Sequence, residues 1–212
     1  MILLERRISS KLWNASEYRI SKLAGDVSKF VTILLHEENV RAARTAINDE
    51  KRLSGLGTDP KNVAIPAFRS LGSAEYAPLG KAFAAMLIDN LSALPEIRVL
   101  ERDQVETLAA EANLGATGLV EKDTAVRAGK LLRAGRVVPG SYVDWTASPT
   151  HLKAEVAVYD VNNESAVATA SAEALIADFH QLIPKIATEI AAAVGRPVTE
   201  LPAWSRMAAR LP

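Results

Sequence analysis

The sequence predicts an α/β (α+β) sandwich: a mixed sheet of about five strands, ordered β-α-β-α-α-β-β-β-α, preceded by an N-terminal helical extension. Three observations predict it. Apolar residues keep a helical spacing through residue 56, with no strand-like run. Between residues 62 and 132, short apolar runs alternate with helical stretches. Between 136 and 174 the rhythm turns strand-like three times, and a last helix follows.

Taken in order, the extension comes first. Ile20, Leu23, Val27, Phe30 and Leu34 recur at spacings of three and four, which places them on one helix face. Val40, Ala43 and Ile47 continue in a shifted phase toward Leu53. Ser54-Gly55-Leu56-Gly57-Thr58-Asp59-Pro60 then stops the helix with two glycines and a proline. This gives a helical extension over 1–56 and a linker over 57–60.

The main unit spans 61–196. Asn62-Val63-Ala64-Ile65-Pro66-Ala67-Phe68 reads as a buried strand. Ser73 caps a helix over about Glu75–Leu94, with Leu79, Phe83, Met86, Leu87, Asn90 and Leu91 as its face and Pro95 as its end. Ile97-Arg98-Val99-Leu100 is the second strand. Helices follow over about Gln104–Ala112 and from an Asp123 cap to Leu132. Arg136–Trp145, His151–Asp160 and Ala166–Ala174 are three strands, joined by turns at Ala147-Ser148-Pro149-Thr150 and Asn162-Asn163-Glu164. The last helix, Asp178–Val194, ends at Gly195 with Pro197 behind it. Residues 197–212 form a tail with Trp204 and Met207 as anchors.

The bulk numbers limit function. Hydrophobic residues are 49% and charged residues 24%, the mix of a globular protein. The 25 basic and 25 acidic residues cancel, and no basic stripe appears, so no nucleic-acid partner is expected. The chain has no cysteine, which excludes disulfides, thiolate metal sites, a catalytic cysteine and a lipidated cysteine within it. MILLERRISSKLW has only Ile2, Leu3 and Leu4 before charge returns. It reads as neither a signal peptide nor a membrane span.

Reactive constellations are missing from the pattern. Glu101-Arg102-Asp103 places two acids and a base at a strand exit, and Glu106 follows. Asp103 and Glu106 have capping-box spacing at the positive end of a helix, so they are read as a helix start rather than a catalytic pair. His36, His151 and His180 are far apart and lack ligand spacing. Gly135-Arg136-Val137-Val138-Pro139-Gly140-Ser141 lacks the Gly-Lys-Ser/Thr ending of a phosphate loop, and Pro139 removes an amide. No Gly-x-Ser-x-Gly elbow occurs. The reading is therefore no catalytic residue, no cofactor and no metal. The Ile20, Leu23, Val27, Phe30 and Leu34 face serves either the protein's own sheet or a partner, and Gly25 within it weakens a long coiled coil.

The succession Asn62–Phe68, Tyr76-Ala77-Pro78-Leu79-Gly80 and Arg98-Val99-Leu100-Glu101-Arg102-Asp103-Gln104 resembles the CsgG family, the curli production assembly/transport group, which is related to the TolB N-terminal-like domain. Ala128-Gly129-Lys130-Leu131-Leu132-Arg133-Ala134, Val138-Pro139-Gly140-Ser141-Tyr142, and Leu152–Val161 with Val167-Ala168-Thr169-Ala170 follow in the same order. The resemblance covers about 61–195. It implies a non-enzymatic interaction or assembly module of the bacterial cell envelope. Such a module is an oligomeric scaffold or adaptor with protein partners, periplasmic or associated with the outer membrane. The short link from Tyr142 to Leu152 and the immediate turn at Asn162-Asn163 depart from the pore-forming hairpins of channel members. With no signal peptide read in the chain, a cytoplasmic site stays open. The alternative is a small-molecule- or nucleotide-binding regulatory domain, with Arg69, Glu101, Arg102 and Asp144 at strand ends as its candidates.

Overall fold

The computed structural model describes residues 2–113, 122–145 and 150–195, apart from the side chains before residue 20 and that of Arg102. By contact the chain divides into two units, Met1–Asn39 and Val40–Pro212.

The first unit is helix. It is the greater part of α1, Ile2–Asn48. No proline occurs before Pro60, and Leu, Ile, Ala, Arg and Ser are the commonest residues of α1, so Gly25 is the one strong local penalty to helix propagation. Gly25 sits in open space, so it marks no close approach.

The second unit opens with the end of α1 and with α2, Glu50–Ser54. Here the shifted apolar phase finds its partner. Ala43, which is 5% exposed, and Leu53 pack with Leu108, Ala128 and Leu131, with Ile47 against the cluster. Arg44 donates to Glu111 at 2.7 Å and Arg127 to Glu50 at 2.6 Å around that contact.

The strands are β1 Asp59–Ala64, β2 Arg69–Ser70, β3 Arg98–Val99, β4 Ala134–Val137, β5 Gly140–Trp145, β6 His151–Asp160 and β7 Ser165–Leu175. The remaining helices are α3 Leu79–Ser92, α4 Arg102–Glu111, α5 Lys122–Leu132 and α6 Leu182–Ala193. Short 3-10 turns, Ala74–Tyr76 and Ile176–Gln181, precede α3 and α6. The sheet runs β2-β5-β6-β4-β1-β3, with β7 also on β6. The long β6 meets β5 along residues 151–156 and β4 at 159–160, and β7 along nearly its whole length. β1 is parallel to β3 and β4, and β2 to β5, and the helices make the crossovers such pairs require.

Successive β1 residues point to opposite faces. Val63 joins the larger core with Leu87 and Leu91 of α3 and Ile183, Ile186 and Ile190 of α6. Ala64 joins the smaller one, with Val105 of α4 and Ala125 of α5. An aromatic group ties the larger core to β5: Phe83 lies 5.5 Å from Phe68 and 5.3 Å from Tyr142, centroid to centroid. The buried Tyr142 hydroxyl accepts the Gly80 N–H at 3.1 Å and lies 2.7 Å from the Tyr76 carbonyl. Burial pushes that phenol above its ordinary value. Gly80 is needed here, because an added Cβ would come within 2.1 Å of the Phe68 carbonyl oxygen.

The fold is the expected mixed α/β class behind an N-terminal helix, with differences in detail. The sheet has seven strands rather than about five. The run 62–68 is strand only as far as Ala64, residues 65–68 around Pro66 leave the ladder, and β2 follows at Arg69–Ser70, while β1 begins at Asp59 within the expected linker. The run 136–145 is also two strands, because Pro139 has no N–H for the ladder. The expected capping box is absent: the cap of α4 is Glu101, whose extended backbone ends the strand, and Asp103 lies in the helix's first turn. Asp123 likewise sits inside α5. Ser73 does cap, but it caps the 3-10 turn, accepting from Glu75 N–H. The Asn162-Asn163-Glu164 turn is present, with Glu164 at φ 51°. The turn at 147–149 and the tail 197–212, with Trp204 and Met207, lie outside the described residues.

Candidate functional site

The α1 stripe is exposed among the described residues. Ile20, Leu23, Val27, Phe30 and Leu34 are all exposed, at 47–67%. Val31 and Leu35 are exposed too, and at 100° per residue Val31 falls beside Val27 and Leu35 beside Val31, which broadens the same face on one side. The sequence reading missed these two. The signal was present, because Val27, Val31 and Leu35 are a run at i, i+4, but the three-four ladder follows one seam only. Each exposed large apolar side chain forgoes roughly 1.5–3 kcal/mol of transfer free energy. Several in one stripe make a patch of the kind that marks an interaction surface.

The ligand candidates are not assembled. Asp144 accepts the Ser73 N–H at 2.8 Å and so closes the loop after β2. An added Cβ on Gly72 would strike that carboxylate, so the loop is fitted around it. Arg69 is half-buried at the start of β2, opposite Ser141. Glu101 is exposed at the α4 cap. No hydrogen bond or ion pair among the described residues joins these three. Glu106 pairs with Lys81 at 3.3 Å, tying α4 to α3.

The histidines separate as well. His36 is on α1, His151 stacks on Trp145 at 5.5 Å, and His180 is in the turn before α6. Among the described residues no group of three His, Cys, Asp or Glu side chains is placed to hold a metal. No described helix is long and apolar enough to cross a membrane.

One buried charged group was invisible in the sequence. Arg136 and Asp160 pair at 2.7 Å with side chains only 12% and 7% exposed. Asp160 also accepts the N–H groups of Asn162 and Asn163, both at 2.9 Å. Burial pushes its carboxyl up, but the Asn163 hydrogen bonds, Arg136 and Asn162 outweigh that and hold it below the ordinary value. Asn162 in turn brackets Thr58, accepting from its N–H and donating to its carbonyl, each at 2.9 Å. These contacts fasten the β6–β7 turn to the start of β1, while the buried Arg136 Nε has no hydrogen-bond partner among the described residues.

The fold and its surfaces therefore define a sheet-and-helix module that presents an apolar helix face and assembles no reactive group among its described residues. Residues 50–148, a little under half of the chain, match the family of the curli production assembly/transport component CsgG. The family resemblance carried by the motifs is thus shown, over a stretch that starts earlier and ends earlier than 61–195. The C-terminal domain of LpoB from Salmonella enterica is similar at 12% identity, over 57% of this chain and 86% of that one, with a TM-score of 0.42. Lipoprotein GNA1162 from Neisseria meningitidis is similar at 14%, over 55% and 81%, with a TM-score of 0.42. The PelC dodecamer from Paraburkholderia phytofirmans gives 13%, 66%, 94% and 0.39. No curated protein matches the chain.

Proposed function

We propose that this chain is a non-enzymatic interaction and assembly module of the bacterial cell envelope. It acts as an oligomeric scaffold or adaptor, in the periplasm or at the outer membrane. The observation that carries the reading is the uncovered α1 face of Ile20, Leu23, Val27, Phe30 and Leu34, which serves as the contact surface for protein partners or further copies. The CsgG match over residues 50–148 supports the envelope and the assembly role. The three-four spacing supports a helix as the element that covers the face, since a 3.5-residue period is the seam of helix-on-helix packing.

The test is Phe30→Asp in the full chain. A charge at the middle of the seam is expected to lower the mass in solution while residues 61–195 keep their melting transition. Loss of that transition would show that the face is core instead.

A further inference from the structure

The second uncovered feature is the outer edge of β7, and it is independent of the helix face. Among the described residues β7 pairs with β6 alone. It is long, Ser165–Leu175, and its side chains divide cleanly. Ala168, Ala170, Ala172 and Ala174 lie on the core, while Thr169, Ser171 and Glu173 are exposed.

The ladder shows which backbone groups are free. Ile176 N–H donates to the Thr150 carbonyl at 3.0 Å, across the β6–β7 pair. Bonded positions alternate in an antiparallel ladder, so the even-numbered residues of β7 turn their N–H and C=O toward β6. Thr169, Ser171 and Glu173 turn theirs outward. The other side of β6 agrees, since odd-numbered Ala157 donates there, to the Pro139 carbonyl at 3.1 Å.

Natural sheet edges are guarded by charged side chains, lysine above all, by proline, bulges or short length, or by a covering helix or loop. β7 has no proline and no basic residue, and its one charge is Glu173. A bulge does occur, but at Val167, where Val158 and Tyr159 face Ala168 and Ala166. From Ala168 to Leu175 the register with β6 runs without a shift, and Glu173 is the one charge along that stretch.

We propose that this edge pairs, antiparallel, with β7 of a second copy of the chain. The edge complements itself. With Ser171 opposite its own copy, Glu173 falls opposite Thr169, a hydroxyl donor, and no like charges meet. About six backbone hydrogen bonds form between the outward groups of Thr169, Ser171 and Glu173 and their mates, in the narrow-pair geometry of an antiparallel ladder. The two-fold relation makes the contact isologous and closed.

The test uses the full chain carrying Phe30→Asp, so that the helix face is disabled throughout. Light scattering is expected to read a dimer, twice 22.8 kDa. Ser171→Pro, which removes an outward N–H only, is expected to give the monomer with an unchanged circular-dichroism spectrum. Ala172→Pro, whose N–H serves β6, is expected to lose the fold. If Ser171→Pro unfolds the chain, Thr169→Lys with Ser171→Lys takes its place, with the same expected monomer. A monomer before any change in β7 overturns the pairing. So does a dimer that survives the edge variants, or a monomer whose Ser171 amide is still protected from hydrogen exchange. The helix-face reading is judged separately, by the change in mass that Phe30→Asp alone produces.

Discussion

Two amphipathic helices in this chain meet opposite fates. On α6, Leu182, Ile183, Ile186, Ala187, Ile190 and Ala191 are all fully buried. On α1, Ile20, Leu23, Val27, Phe30 and Leu34 are all exposed. The apolar content separates them, two thirds of α6 against under half of α1, and so does the spacing. The apolar residues of α6 come in adjacent pairs four apart, which makes a broad, flat face. A flat face suits a sheet, and the sheet beneath offers the small alanines of β7. The α1 residues come at three and four, which makes a narrow seam that Val31 and Leu35 widen only toward its C-terminal half. A seam suits another helix.

The comparison breaks most visibly inside α6. Ile186→Ala should destabilise the main unit by about 3–4 kcal/mol, from lost transfer free energy and an unfilled cavity, read as a fall in denaturation midpoint at constant m. An equally large loss from Val27→Ala would erase the distinction between the two helices. The polar lock that holds the β6–β7 turn comes next. Asp160→Ala should cost about 3 kcal/mol, because it strands the buried Arg136.

The same pair fixes a pH dependence. The folded carboxyl of Asp160 lies below its ordinary value of 3.8. Its contribution is therefore fully present above 3.8 and is lost as pH falls through the folded value. Acid titration of stability should be shallower in Asp160→Asn than in the natural chain. Equal slopes would remove Asp160 from the account.

A finer contrast lies within α1 itself. Ala43→Arg should destabilise the main unit, since Ala43 is buried against Leu108 and Leu131, while Lys29→Ala should leave the melt unchanged. The smallest destabilisation expected is from Arg127→Ala. Its pair with Glu50 is half-exposed, so screening reduces the loss to about 0.5 kcal/mol.

These contrasts also show what was legible in the sequence. β6 matched its expected bounds, because Leu152, Ala154, Val156 and Val158 alternate inward along a strand long enough to show a period. The α1 stripe and the shifted phase at Ala43 were equally plain, since helical periodicity is a local property. β2 was not legible: two residues carry no period, and its partner β5 is about 70 residues away. The breaks around Pro66 and at Pro139 have a local signal, since a proline has no N–H for the ladder, but the runs 62–68 and 136–145 were each read as one strand. The capping box failed for a local reason, because Glu101 already has the extended backbone of a cap and the helix starts at Arg102, ahead of Asp103. The Arg136–Asp160 pair had no signal, since two residues on different strands become partners only through sheet register.

The central claim is that the α1 face is a contact surface and not core. Light scattering on the natural chain and on Phe30→Asp, each with a thermal melt, tests it most directly. The account predicts a discrete oligomer in the natural chain and a smaller mass in the variant, with the melt of the main unit unchanged. An unchanged mass, or a variant whose main unit no longer folds, would contradict it.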